Sequence, residues 1–226
     1  MNDKFFDLNK EKQDRIINAA LKVFALNGYR HASTDDIVKE AAISKGLLFH
    51  YFGSKVGVYK FVYDYSVRYM ALELGTAVNA EETDLFEVMK QVEFARMQAM
   101  KGYPYMQYFL NSVVTENVSE ALLAIEKKRT VLDDTYEAIW SRTELAGLAE
   151  GIDCEKIRKM LDFTIRGLLA ERFWDASFQP EMLYREITGY LDMMKQLVAG
   201  QLVQSDNTTE DSSDEEYSGE EDIQKE

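Results

Sequence analysis

Apolar residues return every three or four positions through most of the chain, and polar or glycine-bearing breaks divide that rhythm into helices. Ile16, Ile17, Ala20, Leu21 and Phe24 form the first stripe, with Asn9 placed to cap it and Asn27-Gly28 placed to end it. Ser33-Thr-Asp-Asp36 has the form of a capping box and opens a short second helix carrying Ile37, Val38 and Ala41. Ser44 caps a third helix ending at Phe52-Gly53. Ser54 caps a fourth that passes through Tyr59, Val62 and Tyr63 to about Leu74.

The two short helices meeting across Ala41-Ala-Ile-Ser44 suit a helix-turn-helix, which backs its second helix with the first and presents it outward. Ile37, Ala41, Ile43, Leu48 and Phe52 fall on the inward face and are expected to form its small core. Beyond residue 75 the helical rhythm breaks at 79–83, 101–104, around Asn117, at 147–153 and at 177–180, with Asp153 a fitting N-cap and Pro180 a first-turn residue. No alternating run is long enough to build a sheet. The expected fold class is all-α.

A formal net charge of −14 argues against an anionic partner until it is divided along the chain. Residues 1–60 hold 10 Lys and Arg against 7 Asp and Glu, a charge of +3; residues 61–203 carry −8 and residues 204–226 carry −9. The helix-turn-helix is the basic end of an acidic chain. The last stretch is almost devoid of apolar side chains and is expected to be a disordered acidic tail. Cys154 is the single cysteine, so no internal disulfide framework is available. No apolar run reaches the ~20 residues of a membrane span, and the start lacks the basic-then-apolar layout of a signal peptide. A cytoplasmic protein with no membrane partner is expected.

AALKVFALNGY, the Ser33 to Ser44 turn region, KGLLFHYF, and Gly53-Ser-Lys55 ahead of a long helix stand in one register. Through them residues 9–60 resemble the DNA-binding domain of the TetR family of bacterial transcriptional regulators. The resemblance implies a three-helix helix-turn-helix headpiece over residues 1–55 and a helical effector-binding and dimerisation domain over residues 56–203, followed by the tail at 204–226. Carried over by position, Ser44, Lys45, Gly46 and Leu47 face base edges, Phe49, His50, Tyr51 and Lys55 touch the DNA backbone, and Thr34 meets a phosphate. The side chains suit these roles: Lys45 can donate to guanine O6 or N7, Gly46 allows close approach, and Tyr51 and Lys55 can donate to phosphate oxygens. Four residues depart from the family pattern. Asp35 stands where neutral or basic groups are common, Leu47 replaces a commonly polar residue, Phe49 lacks the tyrosine hydroxyl, and Ala42 occupies a turn position where glycine is common.

Met97, Met100, Tyr103, Tyr105, Tyr108, Phe109 and Trp140 support two readings, ordinary helical core or the walls of a pocket for an apolar or aromatic small-molecule effector. In the last two helices, Ile165, Leu169, Phe173, Ile187, Leu191, Met194 and Val198 form stripes through which the resemblance implies a two-fold homodimer. Neither His31, His50 nor Cys154 has acid/base, nucleophile or metal-ligand company at useful spacing, so no catalytic residue, metal or cofactor is expected. The expected function is a ligand-responsive transcriptional regulator, a repressor, that binds a palindromic DNA operator as a homodimer. The rival is a helical protein-interaction module without sequence-specific DNA binding, and steep salt dependence separates the two.

Overall fold

Side-chain caps start the first four helices where the sequence places them. The computed structural model describes residues 3–144, 153–172 and 178–199. Their helices are α1 (Lys10–His31), α2 (Thr34–Glu40), α3 (Lys45–Phe52), α4 (Lys55–Ala77), α5 (Leu85–Gly102), α6 (Met106–Val114), α7 (Ser119–Trp140), α8 (Cys154–Arg172) and α9 (Pro180–Val198). Asn9 Oδ1 accepts from the Lys12 amide at 2.9 Å, Ser44 Oγ from Leu47 at 3.2 Å and Ser54 Oγ from Gly57 at 3.2 Å. Ser33 Oγ accepts from Asp35, one residue earlier than a capping box requires. Asp153 Oδ1 accepts from the Glu155 and Lys156 amides, and Pro180 occupies the first position of α9.

Gly28 does not end α1 but kinks it, at φ 63° and ψ 174°, and the helix runs on to His31. That conformation is essentially open to glycine alone. Ala42, between α2 and α3, has φ 50°, the left-handed region that costs a β-carbon roughly 1–2 kcal/mol. Ala42→Gly is therefore expected to raise stability by up to about 1 kcal/mol, because glycine's greater unfolded entropy offsets part of the relief. Urea unfolding checks this; an unchanged or lowered midpoint would mean that the turn holds Ala42 without strain.

Two clusters of buried side chains hold the helices together. The larger joins α1 to α4 and α6, where the Tyr59 ring lies 5.0 Å from Phe24 and 5.6 Å from Phe109. In the second, Leu85, Phe86, Met89 and Met100 of α5 pack on Leu161, Ile165, Leu168 and Leu169 of α8 and on Leu183, Ile187, Leu191 and Val198 of α9.

This second cluster corrects the expected dimer surface. Ile165, Leu169, Ile187, Leu191 and Val198 are buried within the chain, and Met194 packs beside them. One stripe per helix is consumed in covering α5. Met160 and Phe163 of α8, with Met182, Tyr190, Met193 and Leu197 of α9, are the large apolar side chains left exposed on these two helices. Phe173 and the acidic stretch 204–226 lie outside the described residues. Among the described residues no helix is long and apolar enough to cross a membrane.

Candidate nucleic-acid interface and central cleft

The outward face of α3 follows from what its inward face must bury. Ile37 and Ala41 of the α2 region and Leu48 of α3 are fully buried, with Ile43 and Phe52 partly buried against the same core. Helical spacing then turns Lys45, Gly46 and His50 to solvent, with the cap Ser44 also exposed and Leu47 and Phe49 half-buried. A β-carbon on Gly46 would meet nothing within 4 Å, so that spot is open surface. Thr34, half-buried, begins α2 beside this face. Lys45 Nζ lies 2.8 Å from Asp35 Oδ1, linking the first turns of α3 and α2.

Tyr51 and Lys55 are more constrained than their positions in the sequence suggest. The Tyr51 ring sits 5.8 Å from Phe5, which is wholly buried and also contacts Phe52 and Phe61. Phe5 was missed from the sequence, where its one signal is the Phe5-Phe6 pair ahead of the first cap. Lys55 Nζ donates to the Arg30 carbonyl at 3.2 Å and lies 4.6 Å from the centre of the Tyr29 ring. It ties the start of α4 to the end of α1.

Tyr29 continues this tie into the rest of the molecule. Its amide donates to Glu116 Oε2 at 3.0 Å and its hydroxyl to Glu120 Oε2 at 2.6 Å. Burial alone would raise the Glu116 pKa, but amide donors from Val118, Tyr29 and Asn117 bring it below the usual carboxylate value.

A cleft of about 870 Å³ opens between α5, α6, α7 and α8. Its lining is mixed: Arg96, Arg129, Arg158 and Arg166 with Glu93, Asp133, Glu137, Glu155 and Asp162 stand among apolar and aromatic side chains such as Tyr63, Leu132, Tyr136 and Trp140. Glu93 is 5% exposed and pairs with Arg96 at 2.5 Å, while Arg96 Nε also donates to the Tyr136 hydroxyl at 3.2 Å. Burial pushes the Glu93 carboxyl above its usual range, and Arg96 opposes that rise without cancelling it. Arg158 lies over the Trp140 ring at 5.7 Å. Gln107 donates to Asn111 Oδ1 at 2.9 Å, but its own Oε1 is buried without a partner.

Of the two readings of the Met and aromatic group, helical core fits most of its members and pocket wall only two. Trp140 lines the cleft and Met100 a small adjoining recess. Met97 and Phe109 are buried, Tyr105 and Tyr108 pack at the edge of the core, and Tyr103 bonds Tyr65 and Asp14. Cys154 borders the cleft, where burial pushes its thiol pKa up, the opposite of an activated nucleophile.

An all-helical chain that exposes α3 while backing it with α2 is a helix-turn-helix protein. Residues 16–60 match the family model described as bacterial regulatory proteins, tetR family. UidR, an HTH-type transcriptional regulator of Escherichia coli (strain K12), is 51% identical over 172 residues, covering 74% of this chain and 67% of that protein. The uncharacterized HTH-type transcriptional regulator YuxN of Bacillus subtilis (strain 168) is 34% identical over 110 residues, 43% of this chain and 38% of its own, so the match spans well under half of that relative. A TetR family transcriptional regulator from Chloroflexus aurantiacus J-10-FL shares the fold, with a TM-score of 0.56 at 18% identity over 88% of this chain and 96% of its own. The chain belongs to the TetR family of bacterial transcriptional regulators.

Proposed function

We propose that the chain is a non-enzymatic, cytoplasmic transcriptional repressor that binds a palindromic DNA operator as a homodimer and responds to a small molecule in the α5–α8 cleft. The observation that carries this reading is the solvent-facing start of α3, where Ser44, Lys45 and Gly46 are exposed and Leu47 half-exposed beside a fully buried inner face. These residues read base edges, and Thr34, Phe49, His50 and Tyr51 sit against the sugar-phosphate backbone. Lys55 acts partly through position, steadying α1 against α4, and partly as positive charge near phosphate. The partner chain covers the exposed apolar side chains of α8 and α9, and two-fold pairing of identical chains matches an operator with two-fold symmetry.

The charged groups in the lining favour an effector that carries hydrogen-bonding groups beside the apolar or aromatic surface expected from the sequence. Gln107 Oε1 calls for a donor from the ligand, and the arginines and carboxylates around it offer further hydrogen bonds. Both α6 and α7 border the cleft, and the segment joining them holds Tyr29 through Glu116. An effector that prefers one arrangement of these helices therefore shifts the headpiece; one with equal affinity for both shifts nothing.

Selection of bound duplexes from a random library, at low and at moderate salt, tests the reading. The expected result is an enriched palindrome whose affinity falls steeply with salt. The same duplex then serves to find compounds that release the protein, and Gln107→Leu should raise the concentration needed by about tenfold. No enrichment at low salt would favour the protein-interaction module, and release indifferent to Gln107→Leu would remove the effector from the cleft.

A further inference from the structure

We propose that Asp35 is a specificity-setting positioning residue whose carboxylate holds the Lys45 ammonium toward base edges and away from phosphates; this rests on the DNA-binding reading above. The two groups are 2.8 Å apart, and both side chains are more than half exposed. A surface ion pair of this kind contributes little to stability, so holding the fold together does not account for an acid on a face that meets a polyanion.

The backbone on both sides of the pair is fixed. The Asp35 amide donates to Ser33 Oγ at 3.1 Å, Lys45 is the first residue of α3 behind the Ser44 cap, and buried Ile37, Ala41 and Leu48 lock the two helices together. Glu40, at the opposite end of α2, pairs with Lys22 at 2.6 Å. A free lysine at the start of α3 would swing to the nearest phosphate, a contact that every sequence offers. Tethered to Asp35, its ammonium keeps donors for guanine O6 or N7. The remaining lone pairs of the carboxylate accept from a neighbouring cytosine amino group. The pair thereby converts a sequence-independent charge into a base contact, at the cost of overall affinity.

The test is the library selection repeated with Asp35→Ala, Asp35→Glu, Lys45→Ala and the Asp35→Ala/Lys45→Ala double variant, together with affinity for a random duplex across salt. Asp35→Ala should bind the random duplex about tenfold more tightly at low salt, with a salt slope steeper by about 0.9, one more phosphate contact. It should lose the base preference at the position that Lys45→Ala also relaxes, while Asp35→Glu retains it. In the double variant no further preference should be lost. If Asp35→Ala binds all sequences more tightly but keeps the wild-type preference, the acid is merely repulsive and the proposal falls. A wild type that enriches no sequence overturns the DNA-binding reading and this proposal with it, whereas an enriched wild-type site with an unaltered Asp35→Ala profile overturns this proposal alone.

Discussion

Arg96→Met is expected to destabilise the protein by about 3–5 kcal/mol at neutral pH, because it strips the ion-pair partner from a nearly buried carboxylate. Glu93 is 5% exposed and forms an ion pair with Arg96. Methionine fills much of the arginine stem's volume, so the loss is electrostatic more than steric. It also removes the donor to the Tyr136 hydroxyl and the cation that lies 5.2 Å from that ring. The pH dependence identifies the cause. Burial already raises the Glu93 pKa in the folded state despite Arg96, so between its unfolded and folded values the native protein binds more protons than the unfolded chain. Stability from this group is full below the unfolded value and falls as pH rises through the folded one. Without Arg96 the folded value climbs further, so the deficit should be small at about pH 4 and large at about pH 8. Adding Glu93→Gln should recover much of the loss at the higher pH. Urea unfolding of the two variants at both pH values decides it; an equal deficit at the two pH values would mean that Glu93 is not the orphaned group.

The first four helices were legible because their ends are local chemistry. Asn9, Ser44 and Ser54 each cap through an amide within three residues, and Gly28, expected to end α1, takes a positive φ there although the helix resumes to His31. Ala42 was legible for the same reason, since a turn that favours glycine announces a positive φ. The later helices begin near the expected breaks, but α7 ends at Trp140, ahead of the break expected at 147–153, and the faces of the later helices were not legible. On α8 and α9 one periodicity serves both the chain's own core and any partner surface. Ile165 and Leu191 proved to belong to the first, and exposed Phe163 and Met193 lie off that stripe. The cleft was hidden for a different reason. Glu93, Gln107, Arg129 and Arg158 come from four separate helices, and each alone reads as an ordinary polar position. Methionines and aromatic rings drew attention instead because they are apolar, which is also why most of them are buried in packed core.

Gly57→Ala gives opposite expectations at these two levels, and the packing should win. Gly57 is the third residue of α4, and in helices alanine is preferred to glycine by up to about 1 kcal/mol, so propensity predicts a gain. The geometry forbids it. A β-carbon at Gly57 would lie 1.9 Å from the Phe52 carbonyl oxygen and 3.0 Å from its carbon. Both are backbone atoms that cannot rotate aside. They are held there by the tight turn between α3 and α4, in which Gly53 takes φ 74° and the Ser54 amide donates to the Phe52 carbonyl at 2.8 Å. Relieving the collision means moving Phe52, whose ring lies 5.3 Å from Phe5 and 4.8 Å from Phe61. Overpacking of this kind costs about 1–3 kcal/mol and sometimes more, so after the propensity gain a net loss of about 2 kcal/mol is expected. The functional loss should be larger than the thermal one suggests, because the same shift tilts α3, while α8 and α9 have no reason to move. The expected result is a lowered unfolding midpoint with weakened binding to the selected duplex and unchanged self-association. A variant as stable as the wild type, binding the duplex equally well, would show that the α3–α4 turn is far looser than a 1.9 Å approach allows.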